Sequence, residues 1–266
     1  MTGHRRRVDY NDVAATFDAR YAYYAGPAQG IGAALSGLAR DFRARRILEV
    51  GCGTGHWLHV LASSCSRICG LDPSLGMLRK AAAPHPTIAL VAGVANALPW
   101  RPESFDLVFC VNAFHHFDDL SEFVGGASRL LAPEGALAVM GMDPHAGGDH
   151  LYLYDYFPGT YETDLARYPS SGTIMDWMIR AGFSRVEWRV VETVRATGTG
   201  RRMLGESMLQ KNATSQLTLL SDEEYESGLA RIRGAIERAE AAGEEQLFPV
   251  DISFHMVVGR LNVGSS

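Results

Sequence analysis

Nine residues, Ile47-Leu48-Glu49-Val50-Gly51-Cys52-Gly53-Thr54-Gly55, constrain this chain more than any other stretch. A short β-branched apolar run ends in an acid and then in three glycines at alternate positions. Apolar residues resume at Trp57, Leu58, Leu61 and Ala62, which is helical spacing. The stretch therefore reads as strand, tight turn, helix. Glycine suits such a turn because it tolerates positive φ and, lacking a Cβ, lets a ligand approach the backbone. The helix start behind it offers unpaired N–H groups to an anion, here a carboxylate rather than a phosphate. One glycine would serve an ordinary strand-to-helix turn. Three in alternation behind Glu49 point to a cofactor site.

From Ile47 onward strand and helix patterns alternate. Residues 67–71 and 87–92 read as strands, with a helix over 73–83 between them, and residues 105–111 form a nearly unbroken apolar strand. Asp119, with Glu122 as capping-box acid, opens a helix whose apolar face runs from Leu120 to Leu131, and residues 136–142 follow as a strand. Such alternation means βαβ units and a parallel sheet with right-handed crossovers. Later come a helix over 171–181, a strand over 183–194, a short helix near 203–210 and a helix capped by Ser221 and Glu224 that ends at Gly243. Residues 251–258 alternate as a final strand that a Pro249 turn can bring in antiparallel. The fold class expected is α/β, a Rossmann-like doubly wound sheet of about seven strands, mostly parallel with the last strand antiparallel. We read one domain over residues 1–266. It carries an N-terminal helical cover at 10–41 and inserted cover segments at 143–170 and 197–245.

Composition narrows the partners. A formal charge of -5 gives no reason to expect a polyanion, and Arg5-Arg6-Arg7 reads as a solvated tail rather than a nucleic-acid arm. No stretch approaches a membrane span, so neither nucleic acid nor membrane is expected and the location expected is cytoplasmic. Cys52, Cys65, Cys69 and Cys110 form no C-x-x-C pair and read as reduced thiols, with no metal site. Oligomeric state is not legible.

Asp72 stands 19 residues after Gly53 and closes the second strand, close to the offset at which an acid meets a ribose in dinucleotide folds. At this point Glu49-Val-Gly-Cys-Gly-Thr-Gly55, Leu71-Asp-Pro-Ser-Leu-Gly-Met-Leu78, Ala97-Leu-Pro-Trp100, Phe105-Asp-Leu-Val-Phe109, His115-His116-Phe117 and Leu130-Leu-Ala-Pro-Glu-Gly135 together resemble the successive motifs of class I S-adenosylmethionine-dependent methyltransferases, over about residues 40–142. The resemblance implies S-adenosyl-L-methionine as cofactor and S-adenosyl-L-homocysteine as product. It implies Glu49 and Gly51 at the methionine end, Asp72 on the ribose and Met77 on one adenine face, with Cys52, Gly53, Gly55 and Pro73 as further members of the site. One departure stands out: where the family often has an acid after a glycine, this chain reads Gly93-Val94-Ala95-Asn96. The Ala95 N–H can still meet the ring, and Asn96 offers a neutral acceptor.

Two other readings compete. A nicotinamide-dependent oxidoreductase needs a G-x-G-x-x-G fingerprint, and His56 stands where a glycine is wanted. A non-catalytic regulator that binds the same cofactor keeps every motif. Methyl transfer itself needs the nucleophile, methyl and sulfur held in line, and a hydroxyl nucleophile also needs a base. His115 and His116 follow the 105–111 strand at the sheet edge where ligands bind, and either serves as that base or as a structural residue. Asp143 and His145 compete for the same role, and Asn112 shapes the floor. Residues 143–170 carry many aromatic side chains without helical or strand periodicity, so they are expected to act as a cover and not as core. The acceptor, a small molecule methylated on O or C in secondary metabolism, is expected to touch Tyr21, His145, Tyr152 and Tyr156.

Overall fold

The computed structural model describes Tyr10, Phe17, Asp18 and residues 29–63, 65–83 and 88–262. Tyr21, expected to touch the acceptor, and most of the expected cover before residue 29 lie outside the described residues.

The first strand, β1 (Arg46–Val50), is buried over its last four residues. It sits between two parallel neighbours, β2 (Arg67–Asp72) and β4 (Phe105–Val111), so that Glu49 faces Gly70 on one side and Phe109 on the other. Beyond β2 lies β3 (Ala89–Ala92), and beyond β4 lies β5 (Leu131–Met142), both parallel. A two-residue β6 (His150–Leu151), the long β7 (Phe183–Thr199) and the last strand β8 (Leu247–Leu261) complete the sheet. β8 runs antiparallel to β5 on one side and to β7 on the other, and its Asp251 and Val250 also pair β6. The sheet order is β3-β2-β1-β4-β5-β8-β6, with β7 also on β8. The mostly parallel sheet with an antiparallel last strand matches the expectation, and β7 and β8 run several residues longer than their apolar alternation indicated.

Helices cover both faces. Alternate residues of β4 divide between two cores: Leu107, Phe109 and Val111 join one, Val108 and Cys110 the other. The first core is closed by α1 (Gln29–Asp41), α2 (His56–Leu61) and the long α9 (Asp222–Ala241). The second takes α4 (Leu120–Leu130) and α7 (Ser171–Arg180). Between β2 and β3 runs α3 (Leu75–Ala82), capped by the Ser74 hydroxyl on the Met77 N–H. The capping box on α9 is complete, Ser221 with Glu224. On α4 it is half made: Asp119 accepts from the Glu122 N–H, while the Glu122 carboxylate accepts from the Asn96 amide instead. Among the described residues no helix is long and apolar enough to cross a membrane.

The 143–170 segment departs from expectation. It holds β6, α5 (Leu153–Tyr156) and α6 (Thr160–Arg167), and Tyr152, Leu153, Phe157 and Tyr168 are all buried. Tyr152 lies edge-on to Phe248 of β8 at 5.7 Å, and Phe157 fills the place a Cβ on Gly228 of α9 would take, 2.1 Å from its ring. The inner half of the segment is thus core, because helices of four and eight residues are too short to display a periodicity. Residues 197–220 form 3-10 turns at Gly200–Gly205 and Ser207–Leu209 and a one-turn α8 (Ser215–Thr218).

Candidate active site

The C-terminal ends of β1, β2, β4 and β5 define one crevice, the place where open α/β sheets bind ligands. At the end of β1 the backbone turns through Gly51, Gly53 and Gly55, all at positive φ (75°, 52° and 78°). Each glycine has a different reason. A Cβ on Gly51 would stand 2.4 Å from the Ala113 Cβ, so the loop abuts the 113–117 turn that carries the two histidines. A Cβ on Gly53 would meet, among the described residues, only the Phe17 ring at 3.7 Å, so this backbone faces the crevice. A Cβ on Gly55 would press on Ala81 at 3.0 Å, which makes Gly55 a packing residue between α2 and α3.

Two carboxylates lie under this loop. Asp72 accepts from the Gly53 N–H at 2.9 Å and from the Ser74 N–H at 2.8 Å, one bond on each oxygen. An ionised carboxylate has about four acceptor positions, so two remain. Glu49 is 1% exposed; the Leu58 amide donates to it, while its Oε2 has no hydrogen-bond partner among the described residues. Burial first and the Asp72 charge second push the Glu49 carboxyl well above its usual range. Burial also pushes Asp72 up, opposed by its two amide donors. A buried carboxylate oxygen without a donor is costly, and a cation or N–H group placed there relieves it.

The other predicted cofactor residues differ in burial and in partners. The Cys52 side chain turns under the loop into the space left by Gly70, whose Cβ would lie 2.7 Å from Sγ, and burial pushes that thiol up. Pro73 is exposed between Asp72 and the Ser74 cap. Met77 is buried beneath Tyr10 and Phe17. Ala95 is buried, and the Asn96 amide donates to the Asp119 carbonyl at 2.9 Å and to Glu122 at 2.7 Å. That side chain is anchored on α4 and is not held out to a ring. Asn112 sits at the end of β4 with φ 51°, its N–H donating to the Met140 carbonyl, and Gly141 leaves room for its amide oxygen. Asparagine adopts positive φ more readily than other side-chain-bearing residues, so the turn after β4 carries little strain.

The two histidines are joined to the cover. Their rings lie 3.9 Å apart. His115 stacks on Tyr168 at 4.0 Å, with the Tyr168 hydroxyl 3.1 Å from Nε2. His116 Nε2 lies 2.6 Å from the Tyr10 hydroxyl, and its Nδ1 lies 3.4 Å from Nη2 of Arg167. Arg167 faces the fully buried Asp164 at 3.5 Å, and Asp164 accepts from Tyr154 at 2.9 Å and from Gln216 at 2.6 Å. Sequence reasoning missed Arg167 and Asp164. Three-residue spacing on a helix was the only local hint.

The other proposed contacts are structural. Both Asp143 oxygens accept backbone N–H groups, from His145 and Ser171, and the His145 ring meets the Tyr168 carbonyl at 2.8 Å. Asp143 thus fastens the loop after β5 to the start of α7 with both oxygens, while the His145 bond to the Tyr168 carbonyl leaves its other ring nitrogen uncommitted among the described residues. Tyr152 is core, removed from any ligand by burial, and Tyr156 packs on Phe248 at 5.4 Å. Beside His115 a small cavity of about 20 Å³, bounded by Met140, Asp143, Tyr168 and His255, has room for about one water. A roomier cleft of about 470 Å³ lies at the opposite sheet edge among Arg43, Arg45, Arg46 and Asp106, away from every glycine-loop residue.

Comparison with known proteins agrees with this geometry. A family model described as "Methyltransferase domain" matches residues 48–139. Over 140 residues the chain is 39% identical to a malonyl-[acyl-carrier protein] O-methyltransferase of Hahella chejuensis, a match that spans only half of either protein. It is 30% identical over 146 residues to an uncharacterized methyltransferase of Synechocystis, covering 53% of this chain and 68% of that one. Among solved structures, a putative methyltransferase from an antibiotic biosynthesis pathway of Anabaena variabilis superimposes with a TM-score of 0.65 at 21% identity, covering 87% of this chain and 96% of that one. The glycine loop, the acid closing β2, the sheet order and these relatives together place the chain in the class I S-adenosylmethionine-dependent methyltransferase family.

Proposed function

We propose that this protein transfers a methyl group from S-adenosyl-L-methionine to an oxygen or carbon nucleophile of a small molecule, in secondary metabolism. The observation that carries the cofactor's placement is the pair of carboxylates under the glycine loop, with Glu49 Oε2 buried and unpartnered and Asp72 keeping two acceptor positions. The residues fit the group. Glu49 suits the α-ammonium of the methionine end, Asp72 the two ribose hydroxyls, and Gly51 and Gly53 allow backbone approach. Met77, with Tyr10 and Phe17, offers an apolar face for the adenine, and the Ala95 backbone the ring edge. When bound, the sulfonium supplies an electrophilic methyl and a good leaving group.

The chain's remaining tasks are orientation, exclusion of water and handling of one proton. His115 or His116, at the edge of β4 beside Gly51, takes the proton of a hydroxyl acceptor, and Tyr168, Tyr10 and Arg167 hold the two rings. Desolvation by this aromatic cover strengthens each polar contact inside. A second reading, an acyl group held on a carrier protein, is favoured by the 39% identity to the Hahella enzyme. Incubating the protein with methyl-labelled cofactor and a cell extract, then separating small molecules, proteins and RNA, distinguishes them. Label in the small-molecule fraction is expected. Label confined to protein or RNA overturns the small-molecule acceptor.

A further inference from the structure

Arg167 is a buried cation whose donors are badly used. Its side chain is 10% exposed, yet its Nη1 has no hydrogen-bond partner among the described residues. The approaches it does make are long, 3.5 Å to Asp164 Oδ1 and 3.4 Å to His116 Nδ1. An arginine kept only to staple a carboxylate closes to about 2.7–2.9 Å, with two parallel bonds. Here Asp164 spends its Oδ2 on Tyr154 and Gln216 instead, and its Oδ1 makes no hydrogen bond to the guanidinium. Burial pushes the Asp164 carboxyl up, against the pull of Gln216, Tyr154 and Arg167. The guanidinium is thus fixed by charge and by the Tyr168 ring, 5.9 Å from its Cζ, while the two donors on Nη1 make no hydrogen bond among the described residues.

The location gives this a purpose. Nη2 points at His116, one residue from His115 and on the turn that abuts Gly51. We infer that Arg167 is the specificity-determining residue for the acceptor, and that the acceptor carries a carboxylate which the Arg167 fork binds beside His116. A neutral acceptor would leave Nη1 without a hydrogen-bond acceptor, whereas a carboxylate supplies charge-assisted bonds to it beside the 3.5 Å Asp164 contact. Lysine would keep the charge and lose the fork. The inference rests on the methyltransferase reading above and sharpens it to acidic acceptors.

The test uses the full-length protein saturated with S-adenosylhomocysteine and a panel of benzoate, phenylacetate, salicylate and malonate, each beside its amide. Thermal shift and calorimetry score binding. At least one acid should bind saturably, with its amide at least tenfold weaker. Arg167→Met should weaken that acid at least tenfold while S-adenosylhomocysteine affinity stays within twofold. Arg167→Lys should fall between the two, and it decides the matter should the methionine variant fail to fold. Acids and amides binding alike, no acid binding, or undiminished acid binding by the variants would each overturn the assignment. Failure of the parent protein to bind S-adenosylhomocysteine at all would instead sink the methyltransferase reading beneath it.

Discussion

Gly51→Ala and Gly53→Ala should separate folding from cofactor binding within one loop. Both glycines sit at positive φ, which costs a residue with a Cβ about 1–2 kcal/mol. At Gly51 the new methyl also lands 2.4 Å from the Ala113 Cβ, a contact that neither backbone can yield without shifting. Overpacking of this kind costs about 1–3 kcal/mol, so the total is roughly 2–5 kcal/mol. For a chain of this size each kcal/mol moves Tm by about 2–4 °C, so Gly51→Ala should melt about 4–20 °C lower. At Gly53 the methyl meets, among the described residues, only the Phe17 ring at an ordinary 3.7 Å, so only the φ cost remains and Tm should fall by roughly 2–8 °C. Binding should run the other way. Gly53→Ala puts a methyl where the ligand meets the backbone and should weaken S-adenosylhomocysteine more than about tenfold, about 1.4 kcal/mol, in a folded protein. Differential scanning fluorimetry and titration calorimetry measure the two quantities on the same samples. Equal melting of the two variants would refute the packing argument, and full affinity in Gly53→Ala would refute the placement of the ligand.

Glu49 and the cover supply further expectations. Burial, then the Asp72 charge, holds the Glu49 carboxyl up, and for an acid this means stability is greatest below the unfolded pKa and declines as pH rises toward the folded one. Glu49→Gln should therefore melt no lower than the parent at neutral pH, yet bind S-adenosylhomocysteine at least about tenfold more weakly. Calorimetry in two buffers of different ionisation heat should show proton release on binding by the parent and none by the variant; identical release would separate Glu49 from the ligand. Tyr152→Ala should cost about 3–5 kcal/mol as a core truncation, while Tyr161→Ala, at a side chain 39% exposed, should change Tm little. Urea melts that rank the two in reverse would restore the segment to a pure lid.

Local signals were legible and long-range ones were not. The glycine loop, Asp72 and the alternating strands announce themselves because turn, strand and helix chemistry act within a few residues, and the alternation implies a parallel sheet with right-handed crossovers. The length of β7 was hidden because its exposed half-buried pattern, with Trp188 and Val190 outward, lacks a clean alternation. Tyr152 and Phe157 looked like cover because helices of one or two turns carry no period, and their burial depends on Phe248 and Gly228 far along the chain. Asn96 reads as a free acceptor in sequence because Glu122, the partner that holds its amide, stands 26 residues away on α4. Arg167 was invisible for the same reason: His116, its neighbour in the crevice, stands 51 residues away.

The central claim is that a site built on Asp72 and Glu49 holds the methyl donor. Titrating the purified protein and its Asp72→Ala variant with S-adenosylmethionine, with NADH as competitor, tests it most directly. The parent should bind one equivalent at micromolar affinity or tighter, about −8 kcal/mol or better, undisturbed by NADH. The variant, if thermal melting shows it folded, should lose about 1.5–3 kcal/mol for each charge-assisted bond to the ribose. Saturable NADH binding without a response to S-adenosylmethionine, or equal affinity in a folded Asp72→Ala protein, would contradict the account.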